Sequence, residues 1–153
     1  MEQRGMRASR HAAVRMPWHG WLLGAVFLLY GLAAAFDHVM SLALGAEFYR
    51  ASGMSEAQVA YFSAVPAWAL CGWTLSVWAG LAAALGLLAR RTWTIGAFAL
   101  SLLGSLTYAL YVLVLSDGRE AMGMLWAMPL VLMMLTGGMI GYSRLLARRG
   151  VLR

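Results

Sequence analysis

Hydrophobic residues fall along this chain in four long runs separated by short polar breaks. The first is uncharged from Met16 to Phe36 and holds WLLGAVFLLYGLAAAF before Asp37-His38 interrupts it. At 1.5 Å per residue its 21 residues rise about 32 Å, enough to cross the hydrocarbon core of a bilayer. The apolar pattern resumes as VMSLALGAEFY, so the first helix extends to about Leu44. The other runs predict helices over about 64–89, 92–116 and 121–143. These runs are far longer than the ~9–11 residues of a membrane strand and show no alternation of period two. The fold class this pattern predicts is all-α, an integral membrane four-helix bundle forming a single membrane domain over residues 1–153.

The breaks carry their own signals. Residues 1–15 form a basic leader with Arg4, Arg7, Arg10 and Arg15 against Glu2. A basic leader, an apolar run and Ala33-Ala34-Ala35 also match a cleaved signal peptide; the leader and the run are long for one, and three more spans follow, so the run is read as a span. Residues 45–63 form the longest connection. Within it Ser55-Glu56-Ala57-Gln58 has capping-box spacing, which predicts a short interfacial helix bearing Tyr61 and Phe62 as anchors. Pro66 suits the first turn of the second span, and Arg90-Arg91 ends that span. Asp117-Gly118-Arg119-Glu120 is a tight polar turn. Pro129 falls inside the fourth run, where it should kink the helix and free the carbonyl near Leu125. Residues 144–153 form a basic tail that continues the last helix out of the membrane.

Composition sharpens this picture. The chain has 153 residues, 62% hydrophobic and 12% charged, about half the charged fraction of roughly 25% usual in soluble domains. That is too little charge to cover a soluble globule, and too much apolar material for disorder. The net charge is +6, and every basic residue is arginine. Ten of the twelve arginines fall in the leader, the 90–91 turn and the tail, which lie on one side of a four-span protein; Arg50 and Arg119 fall on the other with Glu47, Glu56, Asp117 and Glu120. By the positive-inside rule both termini are cytoplasmic. The charge is therefore an insertion signal and implies no nucleic-acid partner. The single cysteine, Cys71, lies in an apolar run and is read as a small buried hydrophobe.

Small residues mark helix contacts in lipid. Gly72, Ser76, Gly80 and Ala84 recur every four residues in the second run, Ala97, Ser101, Ser105 and Ala109 do so in the third, and Gly137 and Gly141 in the fourth. All three lines are candidate packing faces.

Candidate chemistry centres on Asp37-His38. Ionisable groups at membrane depth mark function by default, although a rise of about 33 Å from Arg15 puts this pair near the outer interface, where hydration is available. Two readings stand: a solvated helix-end pair, or a carboxylate and an imidazole at the outer mouth of the bundle. Tyr30, Ala34, Asp37 and Ser41 share one face of the first helix, and Ser101, Ser105 and Tyr108 one face of the third. Tyr108, Tyr111, Trp126, Trp68 and Trp73 all lie in the outer part of the bundle. If these faces converge they build a cavity for a sugar, a quinone or another small amphipath, with Asp37, His38, Tyr108, Tyr111 and Trp126 as its candidate binding residues; otherwise the rings form an aromatic belt. His11 and His19 read as solvated. Met122, Met124, Met128, Met133, Met134 and Met139 share no single face and read as core filler rather than a soft-metal site. No nucleotide, hydrolase or metalloprotease motif occurs, and no metal or cofactor is implied.

Two stretches, MSEAQVAYFSAVPAWALCGWTLSVWAGLAAALGLLARRTW and AFALSLLGSLTYALYVLVLSDG, resemble a group of small four-helix bacterial inner-membrane proteins, as does the upstream FDHVMS. The likeness spans roughly residues 30–120; EAQ stands here where the group has PEQ. Some members are labelled sugar transporters, and the group is distantly similar to DoxX-like proteins. The resemblance implies an inner-membrane bundle. The expected function is a non-enzymatic membrane partner or accessory subunit, surrounded by lipid and joined to a second copy or another membrane protein. The alternatives are a sugar-like solute carrier with an outward-facing site near Asp37, and a quinone-linked subunit.

Overall fold

The structure is a computed structural model and describes residues 15–153. It is helical throughout, with no strand among the described residues. Helix α1 spans Trp18–Leu44, α2 Ala46–Ala51, α3 Glu56–Ser63, α4 Ala67–Leu88, α5 Thr94–Leu110, α6 Gly118–Met122 and α7 Met128–Arg148. A π-helical turn, Tyr111–Leu115, prolongs α5, and a 3₁₀ segment, Gly123–Ala127, leads into α7. Among the described residues four helical stretches are long and apolar enough to cross a membrane: Trp18–Leu44, Ala67–Leu88, Thr94–Leu115 and Leu125–Arg148. The architecture is thus all-helical and compatible with a four-span membrane protein, with α2, α3 and α6 joining the long helices at one end.

Local chemistry sets the boundaries. Gly45, at φ 53°, breaks α1 from α2. Ser55 caps α3 as its spacing predicts: its hydroxyl accepts from the Gln58 N–H and the Gln58 side chain accepts from the Ser55 N–H. The second span starts at Ala67 rather than 64, because Pro66 caps α4 from extended backbone and the residue before a proline avoids helix. The fourth starts at Leu125 rather than 121. Gly123, at φ 55°, ends α6, and Pro129 sits in the first turn of α7, directly after the 3₁₀ segment, where a missing N–H is harmless.

The basic tail departs furthest from expectation. Helix α7 does run on to Arg148, but Gly150, at φ 71°, closes it, with the Val151 N–H on Leu146 O at 2.9 Å and the Gly150 N–H on Ala147 O at 2.9 Å. This Schellman turn sends the chain back into the bundle. Val151 and Leu152 are buried. The Arg153 N–H donates to Arg90 O (2.8 Å), the Thr92 N–H donates to Arg153 O (3.0 Å), and Arg90 Nε donates to Val151 O (3.2 Å). The tail therefore clasps the α4–α5 turn.

Packing is closest between α4 and α5. A Cβ added at Gly104 would stand 2.5 Å from Gly72 O and from Ser76 N, and one at Gly72 would meet Thr107 at 2.9 Å. Ser76 Oγ and Ser105 Oγ are 2.6 Å apart, and Ser101 Oγ donates to Ser76 O at 2.8 Å. The small-residue lines of the second and third spans are therefore a contact face. The line in the fourth is not, since nothing stands within 4 Å of a Cβ at Gly137 or Gly141. Helix α1 lies on α4, with Gly31 against Leu81 and Gly24 against Leu87 and Leu88, and α7 lies on α5. A core of Met16, Leu87, Phe98, Met139, Leu146 and Val151 closes the arginine end of the bundle. Cys71 is exposed rather than buried. Like Leu29, Phe36 and Met134 it faces outward, where in a membrane the surroundings are as apolar as the interior.

The α4–α5 seam generates a paired prediction. Gly104→Ala forces two backbones apart and should cost about 1–3 kcal/mol. Gly137→Ala meets open space and should leave stability unchanged or slightly raised. Thermal unfolding of both variants in one detergent checks this; equal effects would contradict it.

Candidate functional site

Away from the arginine end the bundle opens into a cleft of three adjoining sections that share lining residues. The widest, about 340 Å³, is lined from α1 by Tyr30, Ala34 and Asp37, from α4 by Trp73, Ser76 and Val77, from α5 by Ser105 and Tyr108, and from the last span by Met128, Pro129 and Leu132. An apolar section of about 200 Å³ continues from it toward Phe27, Phe98 and Leu135. A third, of about 110 Å³, leads past Tyr49, Met54 and Phe62 of the connecting helices. Asp37, Trp73 and Tyr108 line both the widest section and this third one.

Helical periodicity places these groups. Tyr30, Ala34, Asp37 and Ser41 follow steps of four, three and four along α1 and all face the cleft. On the opposite wall the Ser76–Ser105 hydrogen bond brings α4 and α5 together, so Trp73 and Tyr108, three residues away on each helix, stack with ring centroids 6.1 Å apart.

Asp37 and His38 do not act on the same surface. Asp37 is exposed in the cleft and makes no hydrogen bond or salt bridge within the described residues. His38, about 100° further round the helix, is 1% exposed. Its Nε2 lies 3.2 Å from Thr74 Oγ1, and its ring stands edge-on to Trp73 at 4.6 Å. The Thr74 hydroxyl has one proton and donates it to Leu70 O at 2.8 Å. Nε2 must therefore carry hydrogen, which fixes the tautomer. Its Nδ1 and, one turn on, the Ser41 hydroxyl are buried without partners.

Of the other predicted site residues, only Tyr108 lines the cleft. Tyr111 belongs to a neighbouring aromatic cluster: it stacks on Tyr61 at 6.1 Å and meets the Trp68 edge at 5.7 Å. Tyr61 also hydrogen-bonds Ser116 at 2.8 Å, and burial pushes its phenol above the usual tyrosine range. This cluster ties α3 to the end of the third span. Trp126 stands 40% exposed with the Arg119 guanidinium 5.8 Å from its ring. His19 is not simply solvated, since its Nδ1 lies 2.7 Å from the Tyr142 hydroxyl; His11 lies outside the described residues. Among those residues no cluster of three or more His, Cys, Asp or Glu could hold a metal. Sequence reasoning missed Thr74. Its only signal is a hydroxyl in an apolar run, which fits backbone capping equally well. Compared with family models, with curated proteins and with solved structures, the chain finds no match.

The two neighbours Asp37 and His38 should separate in a stability test. Thr74→Val strands the Nε2 proton of His38 in an apolar site and should cost about 1–3 kcal/mol, whereas His38→Leu combined with Thr74→Val should recover most of it. Asp37→Asn, which breaks no hydrogen bond or salt bridge of the described residues, should shift stability by less than about 0.5 kcal/mol. Thermal melts in detergent read all three; a large loss from Asp37→Asn would assign that residue to the scaffold.

Proposed function

We propose that this chain is a non-enzymatic protein of a bacterial inner membrane, with both termini cytoplasmic, that binds a small amphipathic molecule from the outer side. The observation that carries the reading is the cleft. A single carboxylate, two phenols and an indole line its widest section, and an apolar section continues below them. This is the usual make-up of a ligand pocket: mostly apolar walls and a few polar groups that fix orientation. The orientation rests on the gathering of Arg90, Arg91, Arg148, Arg149 and Arg153 at the far end. A carrier of sugar-like solutes or a quinone-linked subunit would use the same cleft.

Cysteine labelling in intact cells tests access and orientation together. In a Cys71→Ser chain, Ala34→Cys and Ser52→Cys should react with a membrane-impermeant maleimide, Gly150→Cys should react only after permeabilisation, and Gly137→Cys should stay unlabelled in lipid. If Ala34→Cys stays silent until the protein is unfolded, the cleft is closed and the reading fails. Silence of Ser52→Cys with labelling of Gly150→Cys reverses the orientation.

A second reading, an accessory subunit or homo-oligomer, is favoured by the open glycines of α7, Gly137, Gly138 and Gly141, which would let another helix approach closely. On that reading Gly141→Leu abolishes crosslinked dimers or a co-purifying partner in mild detergent without lowering the melting temperature; crosslinking that is unchanged by Gly141→Leu removes α7 as the contact.

A further inference from the structure

Among the described residues, Asp37 is the only charged one lining the three sections of the cleft. No arginine or other donor of the described residues compensates its carboxylate: Arg50 is held by Glu56 at 2.9 and 3.1 Å, and Arg119 lies over Trp126. Its sequence neighbour His38 turns away into the α1–α4 contact, so its imidazole offers the carboxylate no hydrogen bond. A lone carboxylate between apolar and aromatic walls offers an incoming cation a partner with no competing charge beside it.

The walls also favour a particular kind of cation. Trp73 and Tyr108 present stacked rings beside the carboxylate, and aromatic faces attract alkylated ammonium groups, which shed water easily. Beyond them lie Phe27, Phe98 and Leu135, with no charge to meet a second polar end. The charge of the whole mouth points the same way. The connections at this end carry Glu47, Glu56, Asp117 and Glu120 against Arg50 and Arg119, an acidic excess that raises the local concentration of cations.

We infer that the cleft takes an amphiphilic organic cation, its ammonium group on Asp37 between Tyr30, Trp73 and Tyr108 and its apolar body in the section toward Phe27 and Phe98. This rests on the ligand-binding reading above and adds the chemical class of the ligand. Hydroxyls at Tyr30, Ser76, Ser105 and Tyr108 would accept or donate hydrogen bonds to a neutral polyol, but they leave the carboxylate uncompensated.

Three probes of one shape test it: 4-phenylbutyltrimethylammonium, its neutral tert-butyl isostere and 5-phenylpentanoate. Binding is measured by equilibrium dialysis against the full chain in discs of uncharged phosphatidylcholine, with empty discs subtracted. The cation should bind roughly tenfold or more tighter than the neutral isostere, and the anion weakest. Asp37→Asn should erase the cation's advantage without changing affinity for the neutral probe, while Asp37→Glu should keep most of it. Ala34→Trp, and Ala34→Leu as the milder plug, should weaken the cation and the neutral probe alike. If cation and neutral isostere bind equally and Asp37→Asn changes neither, while the plugs still block both, the cleft stands and the cation inference is wrong. Tighter binding of the anion overturns it as well. If no probe exceeds empty discs, or neither plug has any effect, the cleft reading itself fails and takes the inference with it.

Discussion

The structure depends on how closely α4 and α5 approach each other. Gly104 lies so near Gly72 and Ser76 that no side chain fits between them, and in lipid such contact replaces the water-driven burial that holds a soluble core. The approach pairs the hydroxyls of Ser76 and Ser105 and brings that of Ser101 onto the Ser76 carbonyl, which satisfies these polar groups without water. The same two helices then serve as the back wall of the cleft. Ser76 and Ser105 lie on the seam and on the cavity surface at once, so the geometry of the candidate site is inherited from a packing contact.

Around that wall the bundle is asymmetric. At the arginine end, large side chains from four helices and from the returning tail fill the interior. Further along, small residues such as Ala34, Ser76 and Ser105 face one another with Leu132 across the gap. Where the small residues form the wall and Leu132 does not close the gap, a cavity remains. The carboxylate lines the larger part of it, about two turns inside α4, at the level where the neighbouring His38 meets Thr74 and Trp73.

Much of this was legible in the sequence because it depends on periodicity. The polar line on α1, the small-residue lines of α4 and α5, the capping box at Ser55 and the separation of charge need only local spacing. The rest depends on partners the sequence does not name. Gly137 and Gly141 have the same spacing as Gly72 and Ser76, yet no helix comes to meet them. The burial of His38 follows from Thr74, 36 positions away on another helix. Tyr111 and Trp126 are expected from the sequence at the depth of Asp37, but depth says nothing about which way a ring points. The return of Val151 and Leu152 rests on two residues, too few to show a period.

Helix α7 is fastened unequally. Near Arg148 it is held by the core, by the tail clasp and by Tyr142 on His19. At its other end it hangs from a 3₁₀ segment and Gly123, with Leu130, Val131 and Met134 facing outward. The seam leaves α4 and α5 no room to shift against each other, and α1 is seated on α4 through its glycines. In mechanical terms α7 is anchored at the arginine end and weakly held at the other. Local opening follows the elements with fewest buried contacts, so the stretch of cleft wall around Pro129 and Leu132, opposite Asp37, is the part with least to hold it in place.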